Sequence, residues 1–287
     1  MASPRELRRR IRSIGATAQI TRAMQMVAAS KMRKAQEAAL AGRPFVQLLY
    51  RIMRAARQHP QFEHPLLELR EVRRRGIVLV AADKGLCGAL NTNVFRVAAE
   101  FDPASTVFVT AGRRAAQFVA RSGRTLAAEF AYGDSPTFAE ARAIATFARD
   151  LFLKGEVDEV KVVATRFVNT LTQEAGFVEF LPVGEITTLR IPGMESEAAA
   201  PTEGPEILFE RDPEGDLGFI LSQYLAILVY QVLLNAKASE QSARMVSMKN
   251  ATDSADGLIR DLSLEYNKLR QGNITRELLE IAGGQAD

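Results

Sequence analysis

The sequence predicts an α/β protein in which the N- and C-terminal helices form a long antiparallel two-helix coiled coil, with an α/β domain inserted between them. Two observations lead to this prediction. Both ends of the chain carry an unbroken four-three repeat of apolar and small residues, which is the signature of a coiled-coil seam. The middle of the chain alternates short apolar runs with helical patterns, as in a mostly parallel sheet covered by helices.

The N-terminal coiled-coil helix is assigned to residues 1–58. Ser3 followed by Pro4 fits an N-cap with proline at the first helical position, and Glu6 stands where a capping box needs an acid. Many seam residues are small, so the partner helix should approach closely. The seam positions are Leu7, Ile11, Ile14, Ala18, Thr21, Gln25, Ala28, Met32 and Ala35.

The C-terminal coiled-coil helix is assigned to residues 214–287, with no proline after Pro213. At the α-helical rise it would be roughly 100 Å long, the first helix would be roughly 75 Å, and the last helix would outrun the first by roughly 20 Å. In the first helix, Gly42 and Pro44 predict either a kink or an end followed by a new helix. The seam positions are Ile220, Tyr224, Ile227, Gln231, Leu234, Ala238, Gln241, Met245, Met248, Thr252, Ala255, Ile259, Leu262, Tyr266 and Leu269.

The intervening residues 75–190 are predicted to form a Rossmann-like α/β domain. Its strands are predicted at residues 76–82, 106–110, 160–165 and 177–181. Its helices are predicted at residues 92–100, 113–121 and 136–154. Residues 191–213, which are rich in Pro, Glu and Ala towards their start, are assigned to a linker and a short further segment of this domain.

Composition excludes several kinds of site. Cys87 is the only cysteine, so neither an internal disulfide nor a dithiol switch is possible. The two histidines, His59 and His64, flank a proline-containing turn and have no zinc-like spacing to other ligands. No run reaches the roughly 18 apolar residues of a membrane span. We therefore predict no metal, no cofactor and no membrane span.

Charge is distributed unevenly along the chain. Residues 1–57 hold thirteen Lys or Arg and two Glu, whereas residues 195–216 hold eight Asp or Glu and one Arg. The basic arm could meet nucleic acid, anionic lipid or an acidic protein, or it could be a solvated helix face. A basic coiled-coil protein that binds nucleic acid is therefore the alternative function, although stacking aromatics and known nucleic-acid motifs are missing from the arm.

The stretch most like an active-site loop is 83–88, Asp-Lys-Gly-Leu-Cys-Gly, between a predicted strand and a helix. Such a position can hold phosphate on backbone N–H groups, but the pattern matches neither phosphate-binding glycine motif. A tight turn using two glycines is the favoured interpretation, with Cys87 as a small buried side chain. Without a nearby base for a nucleophile, an enzyme is the third and least favoured reading, and we predict no catalytic residues.

Four motifs resemble those of ATP synthase gamma subunits. The motifs are QITRAMQMVAASKMRK at residues 19–34, DKGLCGALN at 83–91, SEQSARMVSMKNATD at 239–253 and YNKLRQGNITRE at 266–277. They occur in the family's order over the whole chain. The resemblance implies a non-catalytic rotor subunit in the central stalk of a bacterial proton-translocating ATP synthase.

The family resemblance also implies partners and a location. The coiled coil would lie inside a hexamer of alternating alpha and beta subunits, and the α/β domain would form a foot beside the epsilon subunit and above the membrane ring of c-subunits. Proton flow would turn the ring and, with it, the gamma subunit, which would change the nucleotide affinity of each beta subunit in turn. The chain would be a peripheral protein on the cytoplasmic side of the cell membrane.

Residue roles follow from the same motifs. Met24 and the basic residues after it resemble the stretch that faces an acidic loop of beta, and residues near the end of the last helix resemble an upper beta contact. The implied beta contacts are Met24, Lys31, Arg33, Arg270, Gln271 and Thr275; the implied c-ring or foot contacts are Phe209 and Glu210. The family's usual Ile-Thr-Gln-Glu reads Ile-Thr-Arg-Glu at residues 274–277, so the resemblance does not carry one upper hydrogen bond over to this sequence. The cysteine-bearing regulatory insertion of chloroplast relatives is absent.

Overall fold

The computed structural model describes residues 3–42, 44–45, 48–49, 64–183 and 213–283. The chain divides into two compact units, one made of residues 1–28 with 244–287 and the other of residues 29–243. Two long helices, α1 (Pro4–Ala41) and α5 (Pro213–Gly283), each contribute to both units.

The first unit is an antiparallel helix pair. The Thr21 and Thr252 hydroxyls lie 2.6 Å apart, and Arg22 forms a 3.0 Å ion pair with Asp256. Nearer the N-terminus, a side chain on Gly15 would meet Ile259 at 3.9 Å. Residue numbers therefore increase along α1 in the direction in which they decrease along α5, so the two helices are antiparallel. The predicted seam is confirmed here, since none of its positions in this unit is exposed and its buried members are Leu7, Ala18, Ala28, Met248, Thr252 and Ala255.

Helix α1 begins as the sequence predicts. The backbone N–H of Glu6 donates to the Ser3 carbonyl at 3.0 Å and to the Ser3 hydroxyl at 3.3 Å, so Ser3 caps the first turn. Glu6 also accepts a 2.6 Å hydrogen bond from Arg10 one turn later. An acid near the N-terminus and a base four residues on both stabilise a helix.

The first helix is shorter than expected. It has 38 residues, about 57 Å at the α-helical rise, and it ends at Ala41 with Gly42 in a turn. The chain is helical again at residues 44–45 and 48–49, and the remainder of the predicted helix up to residue 58 lies outside the described residues. Of the two alternatives, Gly42 and Pro44 therefore end one helix before another begins. A side chain on Gly42 would also overlap Gln231.

The second unit contains a five-stranded sheet of order β3-β2-β1-β4-β5. The first four strands are parallel and β5 is antiparallel to β4, which confirms a mostly parallel Rossmann-like sheet. The strands are β1 (Arg75–Val80), β2 (Thr106–Ala111), β3 (Thr125–Phe130), β4 (Glu159–Phe167) and β5 (Gln173–Leu181).

Strand β3 was not predicted from the sequence. It reads Thr-Leu-Ala-Ala-Glu-Phe, and none of its side chains is fully buried. It is an edge strand, and within the described part of the chain it pairs with β2 alone. Because alanine and glutamate are depleted in strands and an edge strand buries little, its apolar pattern is weak.

Helices cover both faces of the sheet. One core layer packs α2 (Leu90–Ala99) and α3 (Arg113–Arg121) beneath the sheet. The other packs α4 (Phe138–Leu153) and the first part of α5 against the opposite face. The α5 residues in this layer run from Leu221 to Ala236.

One stretch of α5 is long and apolar enough to cross a membrane by length and composition alone. We expected no such stretch, because Ser222 and Gln223 interrupt the apolar run. The mean hydropathy of the stretch nevertheless stays high, since a few polar residues lower it only slightly. The finding is weak support for a span, because 61% of that window is buried inside the protein. Leu221, Leu225 and Val229 pack into the core of the sheet domain, and such a core helix satisfies the same criterion.

Candidate functional site: helix surfaces, a strand-end loop and a charged hub

The loop between β1 and α2 is built as a structural turn. Leu86 and Gly88 have positive φ values of 62° and 58°. The Asp83 carboxylate accepts a 2.8 Å hydrogen bond from the backbone N–H of Arg113, at the start of α3. Asn91 accepts from the Ala82 backbone N–H at 3.2 Å. These side chains tie the end of β1 to α2 and α3, which agrees with the favoured interpretation of the loop.

Cys87 has the environment predicted for a small buried side chain. It is 2% exposed, and the Asn91 amide donates to its sulfur at 3.4 Å. His64, the one histidine among the described residues, accepts from the backbone N–H of Leu66 at 3.1 Å and caps the short 3₁₀ turn Pro65–Leu67. Across the described ranges, no group of three or more His, Cys, Asp or Glu is placed to hold a metal ion.

Met24 lies half-buried on α1 in the first unit. Ile20 and Val27, at 61% and 54% exposed, lie four residues before and three residues after it, so the three share one side of the helix. Ile20 and Val27 were not among the predicted contact residues. The sequence could have indicated these two residues, because Ile20 and Val27 are apolar but do not belong to the four-three repeat of the coiled-coil seam.

Lys31 and Arg33 lie in the second unit and point in different directions. They are two residues apart on a helix, hence about 200° apart around its axis. Arg33 is exposed, whereas the Lys31 ammonium forms a 2.5 Å ion pair with Asp134. The structure therefore gives Lys31 a partner within its own chain, in addition to the beta contact that remains a prediction.

The residues predicted to make the upper contact lie where α5 runs past the start of α1. Continuing the pairing of Gly15 with Ile259 and Thr21 with Thr252, residue for residue, brings Pro4 level with about residue 270. Every residue from Arg270 to Arg276 is exposed. Arg270, Gln271 and Thr275 therefore lie on one exposed segment of α5, and the Thr275 hydroxyl donates to the Gln271 carbonyl one turn earlier at 2.9 Å. Phe209 and Glu210 lie outside the described residues.

This end of α5 carries apolar side chains without a helix partner from α1. Ile274, Leu278 and Leu279 are 48%, 61% and 67% exposed. The helix continues to Gly283, so the overhang from residue 270 is about 20 Å long at the α-helical rise, as expected.

A charged hub in the second unit was not predicted from the sequence. We define it as Lys31, Tyr132, Asp134, Lys237 and Glu240. Lys237 is 2% exposed and forms ion pairs of 3.2 Å with Asp134 and 3.1 Å with Glu240. Its ammonium also lies 5.2 Å from the centre of the Tyr132 ring, within the range of a cation–π interaction.

The hub changes the acidity of two of its members. The hydrogen bond from Lys31, with further help from Lys237, lowers the pKa of Asp134 to about 2. Burial raises the pKa of the Tyr132 hydroxyl well above its ordinary value, with the negative charge of Glu240 adding to the effect. Asp134 is therefore a carboxylate at every physiological pH, and Tyr132 keeps its proton, which it donates to the Ala81 carbonyl at 3.1 Å.

We expect the stabilisation by Asp134 to disappear in acid. Its folded-state pKa of about 2 lies below the ordinary 3.8. The contribution is therefore complete above the unfolded pKa and is lost as pH falls through the folded pKa. Urea unfolding of wild type and of Asp134→Asn should differ most near neutral pH and converge as pH falls from about 5 towards about 2. Lys31→Met should reproduce part of the neutral-pH loss. A difference that stays constant over this range would contradict the assignment.

Comparison with known proteins identifies the family. The family model described as "ATP synthase" matches residues 3–286. The ATP synthase gamma chain of Opitutus terrae is 44% identical over 290 residues, which cover 99% of this chain and 98% of that protein. The chain belongs to the ATP synthase gamma chain family. The gamma chain of Methylacidiphilum infernorum is 40% identical over 293 residues, with 99% of both chains covered.

Solved structures agree with the fold. A central stalk and c-ring structure of Tetrahymena thermophila mitochondrial ATP synthase matches with 25% identity and a TM-score of 0.60, over 81% of this chain and 99% of that one. A chain in an OSCP, F1 and c-ring structure from Euglena gracilis matches with a TM-score of 0.68 and 19% identity, over 98% of this chain and 93% of that one. The predicted combination of a mostly parallel α/β domain with long N- and C-terminal helices is confirmed.

Proposed function

We propose that this chain is the central-stalk rotor subunit of a bacterial ATP synthase, which couples proton flow through a membrane c-ring to conformational changes at the catalytic sites of the beta subunits. The observation that carries the proposal is the end of α5, where Ile274, Leu278 and Leu279 are exposed beyond the start of α1. An apolar helix end of this kind needs a surrounding protein surface. A hexamer of alpha and beta subunits would supply that surface as a close-fitting sleeve.

The proposed partners follow from the family. The coiled coil would turn within the alpha–beta hexamer, and the sheet domain would contact the epsilon subunit and the c-ring. Met24, Lys31 and Arg33 are proposed to meet beta on one stretch of α1; Arg270, Gln271 and Thr275 are proposed to meet it near the end of α5. Phe209 and Glu210 are proposed to lie towards the c-ring. The chain itself would be peripheral, on the cytoplasmic face of the cell membrane.

Nucleic-acid binding has little to support it. Among the described residues of the basic arm, several cations have acidic partners in this chain: Arg10 pairs with Glu6, Arg22 with Asp256 and Lys31 with Asp134. These pairs fit the solvated-face interpretation of the charge.

The proposed function is tested by restoring coupling. Membrane vesicles from a bacterial strain that lacks its gamma chain, but expresses this chain together with its cognate alpha, beta, epsilon and c subunits, should acidify when ATP is added. Acidification is measured with a pH-sensitive fluorescent dye. Assembly of the complex with hydrolysis of ATP but without acidification would contradict the proposed role.

We also propose that the chain has no catalytic activity of its own. The Asp83 carboxylate of the loop at 83–88 is bonded to the start of α3, which fits a turn that joins structural elements, and the sequence of the loop matches neither phosphate-binding glycine motif. The purified chain without partners should neither hydrolyse ATP nor bind it tightly. Turnover by the pure chain that is abolished by Lys84→Ala would overturn this proposal.

Met24→Lys should impair coupling more than hydrolysis. The new cation would lie on the apolar stripe with Ile20 and Val27, which is proposed to face an acidic loop of beta. The new lysine would form an ion pair with that acidic loop, and rotation would have to break the pair at each step. Such a pair costs little to break where it is exposed and more where it is partly desolvated, so each step of rotation would be slowed. We expect ATP-driven acidification to fall several-fold further than ATP hydrolysis.

The matched control for this variant is Met26→Lys. Met26 is 65% exposed and lies about 200° around the helix from Met24, so its lysine should leave the acidification per ATP near the wild-type value. Equal losses of both activities in the Met24 variant, or no loss, would show that the proposed contact is wrong.

A further inference from the structure

The charged hub lies where α5 leaves the core of the sheet domain. The α5 side chains that pack against the sheet end at Ala236, and Lys237 and Glu240 follow within about one turn. The second unit itself ends at Ala243 on α5 and begins at Ala29 on α1. Lys31 stands within one turn of that beginning. The hub therefore joins both long helices to the sheet domain at the last turns that belong to this unit.

Loops at one edge of the sheet hold this part of α5. Asp134 follows β3, and Tyr132 links that loop to the end of β1 through its 3.1 Å hydrogen bond to the Ala81 carbonyl. On the other side, the hydroxyl of Ser242 donates to the Thr170 carbonyl at 2.7 Å, in the turn after β4. The carboxyl ends of parallel strands lie at one edge of a sheet. Residues that follow β1, β3 and β4 at this edge therefore contact the same stretch of α5, directly or through one another.

The two kinds of contact resist movement differently. Apolar packing between α5 and the sheet is non-directional, so a helix can turn slightly without losing much buried area. The ion pair that crosses from α5 to the loop after β3 joins Lys237 to Asp134 at 3.2 Å, and it depends on direction and distance. Lys237 is 2% exposed, and its other partner, Glu240, lies on the same helix. Moving α5 against the loop would therefore leave a buried ammonium with one of its two carboxylates lost, which is unfavourable.

We propose that the hub is the joint that transmits torque between the sheet domain and the two long helices, with Lys237 as its central positioning residue. This inference rests on the proposed rotor function. Under load, the sheet domain and the helices would tend to turn against each other, and the hub would prevent that slip. Without load, little torque crosses the joint and the hub would have little effect on ATP hydrolysis.

The decisive variant is Asp134→Asn, measured in the complete complex reconstituted into vesicles. Asparagine keeps the size of the side chain but removes the charge that both Lys31 and Lys237 contact. The Asp134 side chain is 53% exposed, so the variant is expected to fold and assemble. We expect ATP hydrolysis within about twofold of wild type, and protons pumped per ATP against an imposed gradient to fall at least about threefold, because two charge pairs are lost.

A matched control removes an ion pair elsewhere in the same unit. Glu174→Gln breaks the exposed 2.6 Å pair between Arg166 and Glu174 on the β4–β5 hairpin and should leave the ratio of protons to ATP unchanged. Lys237→Met should act in the same direction as Asp134→Asn. If Lys237→Met prevents assembly of the complex, the result for Asp134→Asn still tests the proposed joint.

A covalent link provides a rescue that a merely structural role would not predict. The double variant Lys31→Cys with Asp134→Cys should lose coupling. Because Lys31 is also a proposed contact with beta, the decisive comparison is before and after cross-linking: a thiol-to-thiol reagent about as long as the replaced lysine side chain should restore coupling. Cys87 is 2% exposed and should not compete for the reagent.

The outcomes separate the joint from the rotor function. A wild-type complex that pumps protons beside an Asp134→Asn complex with an unchanged ratio of protons to ATP would overturn the joint alone. A wild-type complex that assembles but never pumps would overturn the rotor function. A reduced ratio in Asp134→Asn, restored in the cross-linked double variant, would support the joint.

Discussion

Gly112→Ala is expected to unfold the second unit. Gly112 has φ of +96°, a conformation that side chains rarely adopt, and its new Cβ would overlap the backbone carbonyl oxygen of Ala81. The backbone cannot move aside, because the Gly112 N–H donates to the Phe130 carbonyl at 2.9 Å and the Ala81 N–H donates to the Ala111 carbonyl at 3.0 Å. We expect a loss of about 4 kcal/mol or more in the free energy of unfolding, near the upper limit for single substitutions.

Gly123→Ala is the matched control for this prediction. Gly123 also has a positive φ, +65°, but no atom lies within 4 Å of the position its Cβ would take. It should cost only the backbone strain, about 1–2 kcal/mol. Urea unfolding followed by circular dichroism compares the two variants. Equal destabilisation of both would show that φ alone matters and that the close approach to Ala81 does not.

The overhanging end of α5 should be cleaved readily in the free chain and protected in the complex. About fourteen residues follow residue 269 to the end of the helix at Gly283, and an isolated helix of that length is marginal in water. Ile274, Leu278 and Leu279 would be covered on assembly. We expect limited proteolysis of this segment to slow at least about tenfold in the complex, which corresponds to about 1.4 kcal/mol of protection.

Two variants sharpen the test of this segment. Leu278→Ser with Leu279→Ser should weaken protection and lower assembly or torque more than it lowers hydrolysis, since sleeve contacts are mostly non-directional. Leu258→Ser alters an exposed apolar residue, 52% accessible, that lies within the part of α5 paired with α1; it should leave protection of the end unchanged. Equal cleavage of the end in free chain and complex would rule out the sleeve.

Much of the fold could be predicted because its signals are periodic. The four-three repeat through Thr21 and Thr252 placed both residues in the seam, and the structure pairs their hydroxyls at 2.6 Å. The buried strands β1 and β2 are continuous apolar runs, and such runs stand out in sequence. By contrast, β3 is a partly exposed edge strand, and its alanines and glutamate give it no apolar run that would predict a strand.

The candidate site was only partly predictable. Helix length and seam register predict that the end of α5 runs past the start of α1, whereas Arg270, Gln271 and Thr275 come from the family motif and stay predicted contacts. The hub could not be predicted, because Lys237 precedes a seam position and reads as a solvent-exposed lysine. Only the loop after β3, which brings Asp134 and Tyr132 to it, explains how this lysine comes to be 2% exposed.

Direct observation of rotation tests the central claim. A complex of this chain with its alpha and beta subunits would be fixed to a surface through beta, and a bead would be attached through Leu69→Cys. Leu69 is 84% exposed, whereas the native Cys87 is 2% exposed, so the bead should attach at one place. The account predicts continuous rotation in one direction that requires ATP. Steady ATP hydrolysis by the complex with a stationary bead would contradict it.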